Sequence, residues 1–378
     1  MSDSNKIIEG YATHEGTSRF KNNSIKKGIS VNHFRCSMGL TLSSIGMGTY
    51  LGETTKEETE IIENAVYNSV KSGAINVLDT AINYRAMLSE RSIGRALKRL
   101  IDDELIARDQ VFISTKNGYI TNDGNYPMID VMEYIQKMYI STDLIRAEDI
   151  STGYNILNPN YISRCIEKSL LNMCLGTIDL VYVHNSYESW YDDVSFEEYK
   201  EKLSKVFEVY ERYRSKEKLR YYGMATWTCF RVTQDSKEYL SLEEIYKIAK
   251  EVGGDDHGFR FIQLPYNLSY SEALFLKNQA VGTEKNLTIL DACKRLNIGV
   301  FTSVPLFQSR LLGTNIPDFL GITDQLTKVV QIVRSTPNIV APIIGHKKPE
   351  HVIQNLRIAN LPPLTTSEFN EAVRILTK

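Results

Sequence analysis

The stretch Val77-Leu-Asp-Thr-Ala-Ile-Asn-Tyr84 decides the fold. It is a short apolar run that ends in a carboxylate, Asp79, with a phenol, Tyr84, just beyond. Two further stretches repeat the pattern with other chemistry. Val111-Phe-Ile-Ser-Thr-Lys116 ends in an ammonium, and Ile178-Asp-Leu-Val-Tyr-Val-His184 ends in an imidazole. Short runs rich in β-branched residues read as buried strands. A buried strand that carries one titratable group at its C-terminal end is the unit from which parallel barrels build active sites.

Outward from these three, five more runs have strand character: residues 44–50, 219–227, 259–266, 298–304 and 339–345. Helical patterns fill the intervals, at 57–72, 88–100, 159–174, 196–214, 242–252, 283–296, 324–334 and 349–358. Thr54-Thr-Lys-Glu57 is an N-terminal capping signal, Gly73 stands where a helix ends, and Asn158-Pro159 places a cap before a proline at the first helical position. Strands alternating with helices predict parallel pairing through crossovers. The expected fold is therefore an α/β (β/α)8 TIM barrel. Ahead of it, residues 31–37 and 40–44 flank Met38-Gly39 as an N-terminal β-hairpin, and residues 365–378 suggest an added C-terminal helix.

Residues 1–30 are polar and are expected to form a loosely ordered arm, with the barrel occupying 31–378. One connection is out of proportion. Residues 117–158, after the strand bearing Lys116, are rich in Tyr, Asp and Asn and include a short helical pattern at 131–139. A connection of that length is usually functional or carries its own structure. Its place in the chain predicts an insertion over the active-site face, after strand 3.

Bulk properties narrow the function classes. A formal net charge of −2 with no long single-sign run offers nothing to nucleic acid or an anionic membrane. No apolar stretch is long enough to span a bilayer, and the N-terminus lacks a basic-then-apolar leader pattern. The five dispersed cysteines read as free thiols of a reducing compartment, so a cytoplasmic protein is expected. His346 and His351 are poorly spaced as metal ligands, and no metal is expected.

In their order along the chain, these stretches resemble the aldo-keto reductase superfamily from about residue 31 to 356. Asp79-Thr-Ala-Ile-Asn-Tyr84, Ser114-Thr-Lys116, Ile178-Asp-Leu180 through His184, and Gly46-Met-Gly-Thr-Tyr50 match its motifs. The resemblance implies an NAD(P)H-dependent oxidoreductase acting on an aldehyde or ketone, or on the corresponding alcohol. It also implies catalytic roles for Asp79, Tyr84, Lys116 and His184. Tyr84 is the implied general acid and base. A free phenol has a pKa of about 10, and the neighbouring Lys116 ammonium is expected to lower it, with Asp79 holding the lysine. His184 would orient the carbonyl.

The same resemblance places the cofactor, NADPH in preference to NADH, against Gly48, Thr49, Thr226, Gln263, Ser303, Pro305, Leu306 and Gly345. The segment Ile344-Gly-His-Lys-Lys-Pro-Glu-His351 resembles the family's phosphate loop feeding a helix N-terminus, a setting that suits phosphate. There Lys347, Lys348, His351 and Asn355 are the expected contacts, with Arg310 from the preceding loop. The chain departs from the family pattern at Ala225 and Thr226, where Ser-Asn is common, and at Ser303, where an aromatic ring often stacks on the nicotinamide. Tyr50, Tyr187 and Trp190 are the expected substrate-lining residues, and for the last two aromatic packing of the barrel rim is an equal alternative. Two other functions stay open: a cofactor-binding regulatory subunit with little turnover, and a redox-neutral enzyme that reduces its nicotinamide only transiently. Substrate identity and oligomeric state are not legible.

Overall fold

The strand runs place the side chains that matter, so the sheet comes first. In the computed structural model, residues 6–126 and 128–377 are described. The strands are β1 (Phe34–Ser37), β2 (Leu40–Ser43), β3 (Gly46–Gly48), β4 (Val77–Asp79), β5 (Phe112–Asn117), β6 (Ile178–His184), β7 (Leu219–Ala225), β8 (Phe259–Pro265), β9 (Gln279–Val281), β10 (Glu284–Leu287), β11 (Gly299–Ser303) and β12 (Ile339–Gly345). Eight of them close on themselves in the order β11-β12-β3-β4-β5-β6-β7-β8, every pair parallel. This is the (β/α)8 TIM barrel.

Two apolar layers hold it. Phe112, Leu180, Tyr182, Phe261, Phe301 and Ile343 fill the lumen, and a larger outer cluster lies between strands and helices. The lumen tolerates no extra atoms at Gly223, where an added Cβ would meet the Phe261 carbonyl oxygen at 1.9 Å. The β1–β2 hairpin plugs the N-terminal end. Leu40 and Leu42 join the lumen cluster, and Arg35 donates to the carbonyl of Ile339 at the start of β12 (2.8 Å).

Helices follow the expected periods closely. Thr55 caps Lys56–Lys71 by accepting from the Glu58 amide, and Asn158 caps Pro159–Met173. The C-terminal helix Thr366–Leu376 opens with a reciprocal Thr365–Glu368 capping box and buries Phe369 and Ala372. No helix among the described residues is long and apolar enough to cross a membrane.

Two expectations are corrected. First, the arm is not loosely ordered over its described residues; residues 1–5 lie outside them. His14–Lys26 is a helix capped by Thr13, and it docks against the barrel's N-terminal end. The Ala12 amide donates to Asp179 (2.7 Å), itself ion-paired to Arg108, and Gly16 lies against the backbone of Asp109. The helix escapes a sequence reading because its buried face is small and polar: Gly16, Thr17 and Ser24 around a single Phe20.

Second, the helix expected over 283–296 starts only at Ile289. Gly282 takes a left-handed conformation (φ 59°) and turns β9 back onto β10 as an antiparallel hairpin.

Residues 117–158, of which 127 lies outside the described residues, run on from β5 as one long connection. They build a cluster of their own, with Tyr134, Ile135, Tyr139, Ile145 and Ile156 packed on Ile82, Met87, Tyr161 and Cys165. Arg91 pins the segment through two bonds to Asp123 (2.6 and 2.9 Å), joined by Lys168 (3.1 Å).

Candidate active site

β4 ends at Asp79, β5 delivers Lys116 and β6 ends at His184, so the parallel register brings all three to one mouth. Lys116 is fully buried and donates to Asp79 (2.5 Å) and to the Thr80 carbonyl (2.8 Å). The other Asp79 oxygen accepts from Ser114 (2.7 Å) and Gln263 (3.0 Å). A buried carboxylate paired and bonded on both oxygens holds the ammonium at a fixed point. Burial by itself pushes the Lys116 pKa down, but Asp79 and Tyr84 outweigh it, and the net direction is up.

Tyr84 sits above that ammonium, whose nitrogen lies 4.8 Å from the centre of its ring. Its loop is unusual. Arg85, Ala86 and Met87 are consecutive left-handed residues (φ 50°, 49° and 70°), a conformation that disfavours side chains bearing Cβ. The surroundings enforce it. Arg85 donates to the Glu53 carbonyl (2.8 Å) and to Thr59 (2.7 Å), Gly124 donates to the Ala86 carbonyl (2.8 Å), and Met87 is buried. The expected lowering of the Tyr84 pKa is corrected: burial raises it, Lys116 pulls it back only in part, and the net direction is up. The resting phenol is a protonated donor.

His184 completes the group, its ring edge-on to Tyr84 (5.8 Å between centroids) and to Tyr119 (5.0 Å). Its carbonyl accepts from Asn155 (2.9 Å), and its Nδ1 is buried without a partner. Burial, then the Lys116 charge, hold its pKa well below the usual imidazole range. It is neutral at physiological pH.

These groups open into a cavity of about 500 Å³, within the range of ligand sites. Of the residues anticipated, Gly48, Thr49, Tyr50, Asp79, Tyr84, His184, Thr226, Gln263, Ser303, Pro305, Leu306 and Gly345 all line it. Thr226 presents a buried hydroxyl with no partner there. Thr49 spends its own hydroxyl on Thr80 (2.9 Å), clipping β3 to β4. Gln263 has its amide NH2 committed to Asp79, so it braces the ion pair as well as facing the cavity.

Tyr187 and Trp190 are not in the lining. Tyr187 packs on Tyr199 (4.8 Å) and Phe196 (5.7 Å), and Trp190 donates to Asn155 (3.3 Å), so both anchor the rim. The aromatic wall comes instead from Tyr50, Tyr119 and Trp227. Trp227 is not among the expected substrate-lining residues because it follows the end of β7 without a motif of its own. Among the described residues of 117–158, Tyr119 alone is in the lining.

The residues anticipated for phosphate also lie outside the lining. Lys347 is ion-paired to Glu58, Lys348 and His351 are exposed at the start of the helix Pro349–Arg357, and Arg310 is exposed with its guanidinium 5.3 Å from the Phe307 ring. Asn355 is buried and bonded to His346 (3.0 Å), whose other ring nitrogen meets Ser69 (2.8 Å). Asn355 thus braces the loop from within.

The model of the aldo/keto reductase family matches residues 44–330. The chain belongs to the aldo-keto reductase family. Among solved structures, an aldo-keto reductase from Bacillus halodurans in its holo form superposes with a TM-score of 0.60 at 17% identity, covering 91% of this chain and 96% of that one. An aldo/keto reductase from Klebsiella pneumoniae, solved in complex with NADP and acetate, gives 0.58 at 17% identity, covering 91% and 95%. At that identity the likeness speaks for the aldo-keto reductase fold alone.

Two curated relatives match over shorter stretches. An NAD(P)H-dependent D-xylose reductase of Pyricularia oryzae is 31% identical over 86 residues, which is 23% of this chain and 24% of that protein. Aldose reductase C of Dictyostelium discoideum is 28% identical over 109 residues, 29% of this chain and 32% of that protein. The matched stretches are thus about a quarter and a third of those aldo-keto reductases' own length.

Proposed function

We propose that this chain is an NAD(P)H-dependent oxidoreductase that reduces an aldehyde or ketone, or oxidises the corresponding alcohol, with Tyr84 as the general acid and base. The observation that carries the reading is the buried Lys116–Asp79 pair directly beneath Tyr84, with His184 edge-on to the same phenol. A binding module has no use for a charged pair placed under a phenol at the floor of a cavity.

The residues suit a nicotinamide dinucleotide. The unpartnered hydroxyl of Thr226 faces the cavity with Gln263, Ser303 and the Pro305–Leu306 turn, and would hold the nicotinamide end. Lys347 and Lys348, just ahead of a helix, and His351 in its first turn would hold phosphate, and Lys347 would favour NADPH over NADH. The Klebsiella protein's complex with NADP and the name of the xylose reductase support the same cofactor class. When bound, the reduced nicotinamide supplies the hydride to the carbonyl carbon.

Tyr84 then donates its proton to the carbonyl oxygen as that oxygen gains negative charge. The phenolate left behind faces the Lys116 ammonium, which Asp79 keeps in place. A neutral His184 can donate a hydrogen bond to the same oxygen without competing for the proton. Alcohol oxidation runs through the same residues in reverse.

The test is Tyr84→Phe. Turnover on a panel of aldehydes and ketones is expected to fall by about 10²-fold or more, the scale of a lost general acid. Nucleotide binding, followed by tryptophan fluorescence, is expected to be unchanged. Wild-type turnover in the variant would refute the reading.

A further inference from the structure

Glu188 uses one carboxylate oxygen to accept from three consecutive backbone amides: Trp227 (2.5 Å), Thr228 (2.9 Å) and Cys229 (3.4 Å). Successive N–H groups that converge on a point form a nest for negative charge, and here the chain fills its own nest. The other oxygen of Glu188 is buried without a partner. An ordinary solvated carboxylate would not give up water on that side, so the residue is held for what its first oxygen does.

What it does is visible in the two loops it joins. Glu188 lies on the short helix Ser186–Trp190, which directly follows His184 and Asn185. Tyr187 and Trp190 on that helix are sunk into the rim, so it is a fixed platform. The amides it grips belong to the loop after β7, whose Trp227 is an exposed wall of the cavity. On the other side, the Trp227 carbonyl accepts from Arg231 (2.9 Å), whose guanidinium pairs with Glu272 (3.3 Å) and stacks on Tyr270 (4.2 Å). Trp227 is therefore clamped at both its N–H and its C=O, while its indole is left to face the cavity.

We propose that Glu188 is a positioning residue for specificity: it fixes the Trp227 wall relative to His184 and so determines how well a ring-bearing carbonyl substrate is seated. The proposal rests on the carbonyl-reductase reading of this cavity. The residues that move the proton are not touched by Glu188, so its loss acts on substrate binding and leaves the chemical step alone.

The experiment compares Glu188→Ala and Glu188→Gln in the full chain, with benzaldehyde and propanal as probes and NADPH as reductant. In Glu188→Ala, KM for benzaldehyde is expected to rise roughly fivefold to tenfold, the scale of one lost charged hydrogen bond. Its kcat, and both constants for propanal, are expected to stay near wild type. Tryptophan emission is expected to shift to the red, and Trp227→Phe identifies the contribution of that indole. Glu188→Gln retains an acceptor oxygen and is expected to keep wild-type emission and KM.

Unchanged emission with an unchanged KM ratio in Glu188→Ala overturns the proposal. So does an equal kcat loss for both aldehydes, which would place the effect on His184. Glu188→Gln behaving like Glu188→Ala overturns it as well, because the amide keeps the shape and an acceptor oxygen, and only the charge would then be at work. If Glu188→Ala does not fold, Glu188→Asp withdraws the oxygen by one methylene and faces the same criteria. If the wild type reduces no carbonyl compound, the proposed function fails, and the emission shift alone then decides whether Glu188 holds Trp227.

Discussion

Gln263 donates its side-chain amide to Asp79 across 3.0 Å, so β8 braces an ion pair whose members come from β4 and β5. A neutral amide is the right group for that place. It adds a donor to the carboxylate without adding charge, and it leaves Lys116 as the sole counter-ion.

Gln263→Glu should turn this brace into a strain. Two carboxyl groups at hydrogen-bond distance cannot both ionise cheaply, and the introduced carboxyl is expected to have a folded-state pKa raised above its unfolded value of about 4.3. A raised folded pKa contributes stability that is present below the unfolded value and lost as pH rises through the folded one. Denaturant melts should therefore show the variant close to wild type near pH 4.5 and about 1–3 kcal/mol less stable at pH 8. A pH-independent difference would show that Lys116 neutralises both groups.

Buried histidines set the acid limit of the fold. Burial first, then the neighbouring arginines, lower His33 to about 3, and burial with His351 lowers His346 to about 4. A lowered folded pKa means stability present above the unfolded value of about 6.5 and lost as pH falls towards the folded one. By pH 5 each neutral ring should cost about 2 kcal/mol relative to pH 7.5. His346→Gln is expected to shrink the stability difference between these pH values by about that amount. An identical pH dependence in the variant would contradict it.

Glu58 would compete with a cofactor phosphate for Lys347, because the two side chains form an ion pair joining the first barrel helix to the loop after β12. Glu58→Gln should free the ammonium and remove a negative charge from the same place. Fluorescence titration is expected to show NADPH binding tighter by roughly threefold to tenfold at low salt, with NADH little changed. Equal gains for both nucleotides would mean that Lys347 does not distinguish them.

Asp123→Ala should loosen the long insertion. Against its burial, Arg91, the Asn125 amide and Lys168 hold this carboxylate at about 2, so the contact persists down to strong acid and is lost only as pH falls through that value. Removing the carboxylate leaves Arg91 largely buried and unpaired, a loss of about 3 kcal/mol. Limited proteolysis is expected to cut within residues 119–145 faster than in wild type. Unchanged cleavage would show that the Tyr134–Ile156 cluster alone holds the segment.

The eight barrel strands were legible because a strand buried on both faces has a composition that few other segments share, and the observed bounds fall within a few residues of those read from the pattern. Asp79, Lys116 and His184 were legible for the same reason, as lone polar groups closing such runs. Their environment was not. Whether Lys116 or burial dominates at Tyr84 depends on how much protein surrounds the phenol, which no local pattern encodes. Trp190 and Trp227 illustrate the same limit. Each follows a strand end, yet one turns into the rim and the other into the cavity, and the difference lies in Asn155 and Glu188, contacts remote in sequence. The helix His14–Lys26 was missed because a polar face can be buried when it meets backbone and not side chains.

The insertion meets the site near its two ends and, through Gly124, at the loop that carries Tyr84. Tyr119 and Asn155 face each other across an isolated antiparallel bridge; the first lines the cavity and the second supports the His184 carbonyl. Between them, Tyr134, Ile135 and Tyr139 pack on Ile82, Met87, Tyr161 and Cys165. The segment is thus a cassette held at several points, with an exposed turn over Ser141, Thr142 and Asp143. A designer wishing to append a sensor, a docking peptide or a second domain to this barrel has a place to splice it, at the exposed turn of Ser141, Thr142 and Asp143, that leaves the catalytic mouth as it was.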